Sequence, residues 1–527
     1  MLRYLRSAIL FIFLIGLILS CEKSGTPSAW EKPKDENVLR YDVSYPFASL
    51  NPTEVEASGS TYIFPLLYSY LFVPNHNGKL EPDLALKWTY DPESLTWTIY
   101  LRKDAMFHNK QPVTSKDVRY TFELWLKNIR SSLFSLIDRI SFLSHTVISI
   151  RLKKNDPEFL QKIWDMEIVP HSNEGKIDFY NHPIGSGPFR FKYRKGENEV
   201  CVEANEDYFD GRPSIDRVAF YFQPDKEKQW TRVLSGETDI AQEISPKNYE
   251  MMRQYEMRYY FDLYPLNYYT ILLYNTTDPI FSDPKVRLAL SHAIDRDYIV
   301  KRVLRGFGKV AVGPMGVNSP YHNPELKPIP YNPEKGLKLL QEAGWSYDNK
   351  GRYLHRGGKF FEFTILVFKE HQIEKNVAQY LRLCLNDLGI KVHLQSIPFK
   401  ELRKRYVRNN EFQAIITECK GVCRHPETLK EQWSPDLFKR SEAGSFEYPQ
   451  VTRLICQALD EKDPLKQKKL FYRIDALIRS LQPGTFLFHK TAIDVMSKRF
   501  KIPFPFSLTH EGIYRLRYAS LATSLNL

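Results

Sequence analysis

The chain has 527 residues, room for two to four domain-sized units, and its 43% hydrophobic content can fill large cores. Its 24 Gly and 33 Pro are ordinary usage, which excludes collagen-like and low-complexity architectures. The formal charge is +12, but 74 Lys and Arg are interleaved with 62 Asp and Glu, so no basic stripe points to nucleic acid. The densest run, Lys400 to Arg405, is flanked and interrupted by Phe399, Leu402 and Tyr406 at helical spacing, the pattern of a solvated helix face. The 32 Tyr and 33 Phe supply core, and Tyr also suits the walls of a binding cleft.

In chain order the first element is an export signal. Arg3 and Arg6 precede the apolar stretch Ala8 to Leu19, which is too short for a stable membrane span. Ile18-Leu19-Ser20-Cys21 then resembles the bacterial lipobox, which implies cleavage before Cys21, a lipid on its thiol and anchoring to the cell envelope facing the periplasm. Cleavage removes Arg3 and Arg6 and lowers the charge from +12 to +10. Residues 21–35, polar with Pro and Gly, read as a tether.

Beyond the tether, strand and helix signals alternate. Leu95 to Leu101 has the alternation of a strand. Thr114 and Asp117 are spaced as a capping box for a helix with Val118, Phe122 and Leu126 near one face. Asp283-Pro284 and Asn332-Pro333 each place an N-cap residue before Pro at the first helical position, and Gly344 can stop the second of these helices in a left-handed conformation. Phe361 to Val367 and Phe412 to Ile416 read as strands. The mixture predicts α/β lobes.

Motifs for nucleotide, metalloprotease and serine-hydrolase chemistry are absent from the sequence, and the 13 His are dispersed, so neither an enzyme nor a cofactor is expected. In Gly185-Ser186-Gly187-Pro188-Phe189, Pro188 removes an amide that a phosphate cradle would use, so a tight turn into a strand is expected. Cys201, Cys384, Cys419, Cys423 and Cys456 follow Cys21. In an exported protein this odd set allows a disulfide or free thiols. Cys419, Cys423 and His425 also suggest a metal, although a single Cys-x-x-x-Cys lacks the second ligand pair.

Several stretches together resemble the family 5 extracellular solute-binding proteins, which serve oligopeptide, dipeptide and nickel ABC importers. They are Pro82 to Ala85 with Trp88 and Trp97; Phe107 to Val118; Pro183 to Phe189; Asn205 to Pro213 followed by Asp216 to Val218; Phe281 to Asp297; and Asn332 to Trp345. They run in family order. The resemblance implies a two-lobed periplasmic-binding-protein (class II) clamshell with an extra inserted subdomain. One lobe takes residues 36–57, 176–267 and 494–527, the insert takes 58–175, and the other lobe takes 268–493. It implies a monomer that closes on one peptide or small solute and hands it to permease and ATPase subunits. It also implies a hinge strand at Tyr268-Tyr269 near the ligand.

The sequence departs from the family in one segment. Peptide-binding members carry an Asp for the peptide α-ammonium after the strand near residue 415, and alignment on Pro426 puts Val422 there. Glu418, Cys419, Lys420 and Arg424 are the candidate ligand residues of this segment, expected to lie on a loop, Glu418 to Glu427, that lines the cleft. Glu418 is the candidate anion for an ammonium, because a buried ammonium requires one. Arg424 would instead suit a carboxylate or phosphate, which keeps a non-peptide solute open. A lipid-anchored envelope enzyme is the reading from another class.

Overall fold

The computed structural model describes residues 37–53, 59–75, 79–128, 136–171, 178–369, 371–398, 401, 411–422, 426, 428–433, 448–461, 463–502 and 515–522. The export signal, Cys21, the tether, most of the basic run, Cys423, Arg424 and His425 lie outside them.

Two α/β lobes share one eleven-stranded mixed sheet. Its strands are β1 (Val38–Val43), β2 (Phe189–Lys195), β3 (Glu199–Ala204), β4 (Arg217–Phe222), β5 (Ile240–Ala241), β6 (Tyr259–Tyr274), β7 (Gly308–Val310), β8 (Glu362–Phe368), β9 (Lys391–Ile397), β10 (Ala414–Lys420) and β11 (Gly484–Ser497). The order is β9-β8-β10-β6-β11-β5-β1-β4-β3-β2, with β7 added beside β11. The two longest strands, β6 with 16 residues and β11 with 14, run antiparallel and belong to both lobes. Their first-lobe ends pair around Asp262 and Asp494, and their second-lobe ends pair around Leu273 and Gly484. Between these, Pro265 faces Thr491 and Tyr269 faces His489, so three residues of β6 stand against one of β11. Such a bulge bends a strand and interrupts its ladder.

Each lobe has its own core, as alternation on a half-covered sheet requires. The first packs Leu39, Tyr41, Phe189, Val218, Phe220, Ile240 and Met496. The second lobe buries both sheet faces, with Leu272, Ile365, Val367 and Ile416 on one side and Ile271, Leu366, Ile415 and Phe486 on the other. A separate four-stranded sheet, Ala85–Asp91, Thr96–Leu101, Val147–Leu152 and Ile137–Ser144 in spatial order, has a third core with Trp97, Ile99, Val118 and Phe122.

Local signals hold where the chemistry is local. The Thr114 N–H and hydroxyl both donate to Asp117 at 2.7 Å, opening the helix Ser115–Asn128. Asp283 accepts from the Lys285 N–H at 2.8 Å and Asn332 from the Lys335 N–H at 2.8 Å, opening the helices Pro284–Ala293 and Pro333–Glu342. Gly344 takes φ +87° just past the second. The Gly185–Phe189 turn is structural. The Gly187 N–H donates to Leu67 O at 2.9 Å, and a Cβ on Gly185 or Gly187 would collide with the Leu66–Leu67 backbone. The segment therefore clamps the insert against β2 and serves no phosphate.

One boundary differs from expectation in a way that matters. The strand expected at Phe412–Ile416 runs from Ala414 to Lys420, so Glu418, Cys419 and Lys420 belong to a strand and not to the loop after it. The cause is tertiary: Tyr268, Tyr269 and Thr270 of β6 pair with Lys420, Cys419 and Glu418.

Candidate functional site

The pairing of β6 with β10 places most of the candidate residues side by side. Opposed residues of an antiparallel pair share a face, so Tyr268, Lys420, Thr270 and Glu418 lie on one face and Tyr269 with Cys419 on the other. Tyr268 is 46% exposed and Lys420 is also exposed. Tyr269 is fully buried and packs its ring on Phe486 and the edge of His489, so it supports the wall from behind. Cys419 is buried in the same core cluster. Val422, at the aligned place of the family Asp, is fully buried and bridged to Met315, so no ligand group is offered there.

Glu418 has an internal partner. Lys490 of β11 places Nζ 2.5 Å from its carboxylate and 2.8 Å from that of Glu374, which is 2% exposed near the start of the helix Gln372–Asp387. His371 Nδ1 lies 3.5 Å from Glu374. Burial alone would lower the Lys490 ammonium, but Glu418 and Glu374 outweigh it and hold the pKa above the usual lysine range. Burial likewise pushes Glu374 up, while Lys490 and then His371 bring it below the usual carboxylate range. Two carboxylates share the one ammonium of Lys490, and Glu418 is the more accessible of them.

Burial raises the Tyr45 hydroxyl, and so do Glu243 from the first lobe and Glu418 from the second. Tyr62 is raised by burial, Glu243, Asp494, Tyr45 and Tyr268. Tyr45 thus lies within electrostatic reach of both Glu243 and Glu418, and Tyr62 of Glu243, Tyr45 and Tyr268. Lys490, Glu374, Tyr45 and Glu243 were not legible in the sequence. They lie in separate segments and carry no short motif; only the left-handed backbone of Glu243 (φ +49°) marks one of them, and that too appears only in three dimensions.

His489 lies behind this site. Burial lowers its pKa to about 4, and its Nδ1 is 3.2 Å from Tyr268 O. It is neutral when folded and protonates from 6.5 downward only when unfolded, so its share of stability is intact above pH 6.5 and falls away toward about pH 4. The drop is on the order of 3 kcal/mol. Relative to wild type, His489→Gln should gain stability as pH falls from 6.5 to about 4, measured by urea midpoints at each pH. A pH-independent gap would refute the buried neutral ring.

Among the described residues no group of three or more His, Cys, Asp or Glu is arranged to hold a metal, and no helix is long and apolar enough to cross a membrane.

The model of the family described as bacterial extracellular solute-binding proteins, family 5 Middle, matches residues 79–434. Among curated proteins, the chain is similar to the oligopeptide-binding protein AppA of Bacillus subtilis (strain 168), 27% identical over 462 residues covering 84% of each chain. It is also similar to heme-binding protein A of Haemophilus influenzae, 24% identical over 455 residues covering 80% of this chain and 81% of the relative. Among solved structures, Bacillus subtilis AppA in complex with a nonapeptide aligns with TM-score 0.77 and 24% identity, covering 93% of this chain and 100% of that one. NikA from Brucella suis in complex with Fe(III)-EDTA aligns with TM-score 0.81 and 22% identity, covering 92% and 100%. At these identities the two structures establish the two-lobed fold.

Proposed function

The chain belongs to the bacterial extracellular solute-binding proteins of family 5, and on that premise we propose that it captures peptides with a free amino terminus between its lobes for an ABC importer. The observation that carries this reading is the Glu418 carboxylate, which shares the Lys490 ammonium with buried Glu374 and lies on the same strand face as exposed Tyr268. A ligand ammonium at Glu418 would give this carboxylate a cation that it does not share with Glu374. Relatives named for oligopeptide binding support the same class.

In this proposal the lobes are residues 36–57, 176–267 and 494–527 against 268–493, with 58–175 inserted. The β6–β11 bulge is the hinge, since an interrupted ladder absorbs a bend at low cost. A ligand touching both lobes favours the closed form, and permease and ATPase subunits on other chains read that closure. The protein acts as a monomer, exported and held to the envelope by a lipid at Cys21. Tyr268, Glu418 and Lys420 face the ligand, Tyr269 and Cys419 back them, and Arg424 is a further candidate outside the described residues.

The test is calorimetry with matched free and N-acetylated peptides. Free peptides should bind and raise the melting temperature, since ligand at 100-fold its Kd stabilises the native state by about 2.7 kcal/mol. Glu418→Gln should weaken the free peptides by about 2 kcal/mol and leave the acetylated ones unchanged. Equal losses for both would remove Glu418 from the ammonium role. A second reading, an anionic solute, rests on exposed Lys420 opposite Tyr268. It prevails if Lys420→Met, and not Glu418→Gln, abolishes binding.

A further inference from the structure

Glu418 stands at one end of a chain of charged and titratable groups. Its carboxylate is 2.5 Å from Lys490 Nζ, and that ammonium is 2.8 Å from Glu374 Oε1. The other oxygen of the same carboxylate, Glu374 Oε2, is 3.5 Å from His371 Nδ1. The members come from β10, from β11 and from the start of the helix Gln372–Asp387, which His371 immediately precedes. Exposure is uneven along the chain. The Glu374 side chain is 2% exposed in the middle, whereas His371 is 44% exposed at the far end. Solvent protons therefore reach His371 directly, while the carboxylate that links it to Lys490 lies where charges couple more strongly than in water.

His371 is placed to titrate against that link. Its ring lies on Phe368 of β8, with centroids 5.0 Å apart, and among the described residues the carboxylate against it is Glu374. Beyond Glu374 the charges are Lys490 of β11 and Glu418 of β10, and Lys375 lies one turn further along the same helix. Histidine is the side chain whose charge ordinarily changes between about pH 5 and pH 8. With a neutral imidazole, Glu374 draws on Lys490 alone. An imidazolium gives Glu374 a second cation on its other oxygen, so Lys490 is freed toward Glu418 and two cations stand against two carboxylates. Both effects oppose a ligand ammonium at Glu418.

We propose that His371 is a pH-responsive control on the Glu418 site: its protonation weakens the hold on a peptide amino terminus, and peptide binding in turn expels the proton. Glu374 is the positioning residue that carries the effect and touches no ligand. Its depressed pKa, to which Lys490 and then His371 contribute against burial, agrees with that role. Binding and protonation are linked reciprocally, so one coupling sets both. The protein holds peptides near neutrality and releases them in acid surroundings. This regulation rests on the peptide reading of Glu418.

Calorimetry with trialanine and N-acetyl-trialanine tests it. Wild type should bind trialanine about fivefold more weakly at about pH 5.5 than at about pH 7, the low end of coupling between interacting sites. At about pH 6 a peptide amine is already protonated, and His489, lowered to about 4, is neutral. Binding of trialanine there should release a fraction of a proton, read as a dependence of the heat on the ionisation enthalpy of the buffer. The acetylated peptide should show neither effect, and His371→Gln should abolish both. Glu374→Gln leaves Lys490 wholly to Glu418, so it should weaken trialanine already at about pH 7, spare the acetylated peptide and remove the pH response. A merely structural Glu374 would weaken both peptides alike and keep the response. Trialanine binding that is flat with pH, or proton release that persists in His371→Gln, overturns the control and leaves the peptide reading standing. Equal binding of the two peptides at about pH 7, or binding of neither, overturns the amino-terminus reading and the control with it.

Discussion

Lys490→Met should be among the most damaging single substitutions in the second lobe. Lys490 touches Glu418 at 2.5 Å and Glu374 at 2.8 Å, and Glu374 is 2% exposed. Removing the ammonium leaves two carboxylates facing each other, one with almost no access to water. Deleting one partner of a buried ion pair costs about 3–5 kcal/mol, largely because the remaining charge is stranded. The pairing at Glu418 is more exposed and adds little to that figure. The urea midpoint should fall with an unchanged slope. The pH dependence follows from Glu374, whose folded pKa is depressed. The stability it contributes is present above its unfolded value of 4.5 and is lost as pH falls through the folded value. The gap between wild type and Lys490→Met should therefore narrow under acid conditions. The double variant Lys490→Met with Glu374→Gln should recover most of the loss at neutral pH, because only the partly exposed Glu418 keeps its charge. A single variant within about 1 kcal/mol of wild type, or a double variant no better than the single, would show that the network does not hold the hinge wall.

Arg287→Met should destabilise the second lobe by a similar amount through a different mechanism. Arg287 is fully buried on the helix Pro284–Ala293. Its Nε donates to Gln482 O at 2.6 Å, and its two terminal nitrogens donate to Leu481 O at 2.7 Å, Ser282 O at 3.2 Å, the Tyr448 hydroxyl at 3.1 Å and Phe281 O. Leu481 and Gln482 end the helix Pro464–Leu481, where carbonyls lack intrahelical partners and the helix dipole is negative. One guanidinium thus caps one helix from inside another, with no carboxylate needed. Burial lowers its pKa from the usual arginine value, but it remains a cation at neutral pH. Met fills much of the volume and leaves several buried carbonyls without donors, at about 1–3 kcal/mol each before relaxation, so a loss of about 4 kcal/mol is expected. Arg287→Lys should rescue little, because an ammonium cannot reach so many carbonyls in a planar fork. Chemical denaturation of both variants decides the matter, and a Lys variant as stable as wild type would refute the capping role.

The sequence by itself determined what depends on near neighbours. Thr114 with Asp117, Asp283-Pro284, Asn332-Pro333 and Gly344 each act within one helical turn, so cap and stop signals could be read directly and the helices form where expected. The order of motifs from Pro82 to Trp345 carried the family and with it the two-lobed fold. Even there, the reasons for the motif residues appeared only in the structure. Gly185 and Gly187 are required because backbone from Leu66 and Leu67 runs against them, and Arg287 because it caps a helix that lies almost two hundred residues later.

Tertiary structure alone decided the site. The segment from Glu418 to Lys420 reads as the start of a loop until β6 is seen to pair with it, because strand length follows the partner and not the local sequence. The same pairing separates Tyr268 from Tyr269. Adjacent residues on a strand face opposite ways, so one tyrosine is exposed and the other lies in the core, and sequence cannot say which. Lys490, Glu374, Tyr45 and Glu243 carry no local signal at all. Their chemistry comes from charges brought together in three dimensions around a bulged pair of long strands, and burial there fixes which carboxylates lose their water.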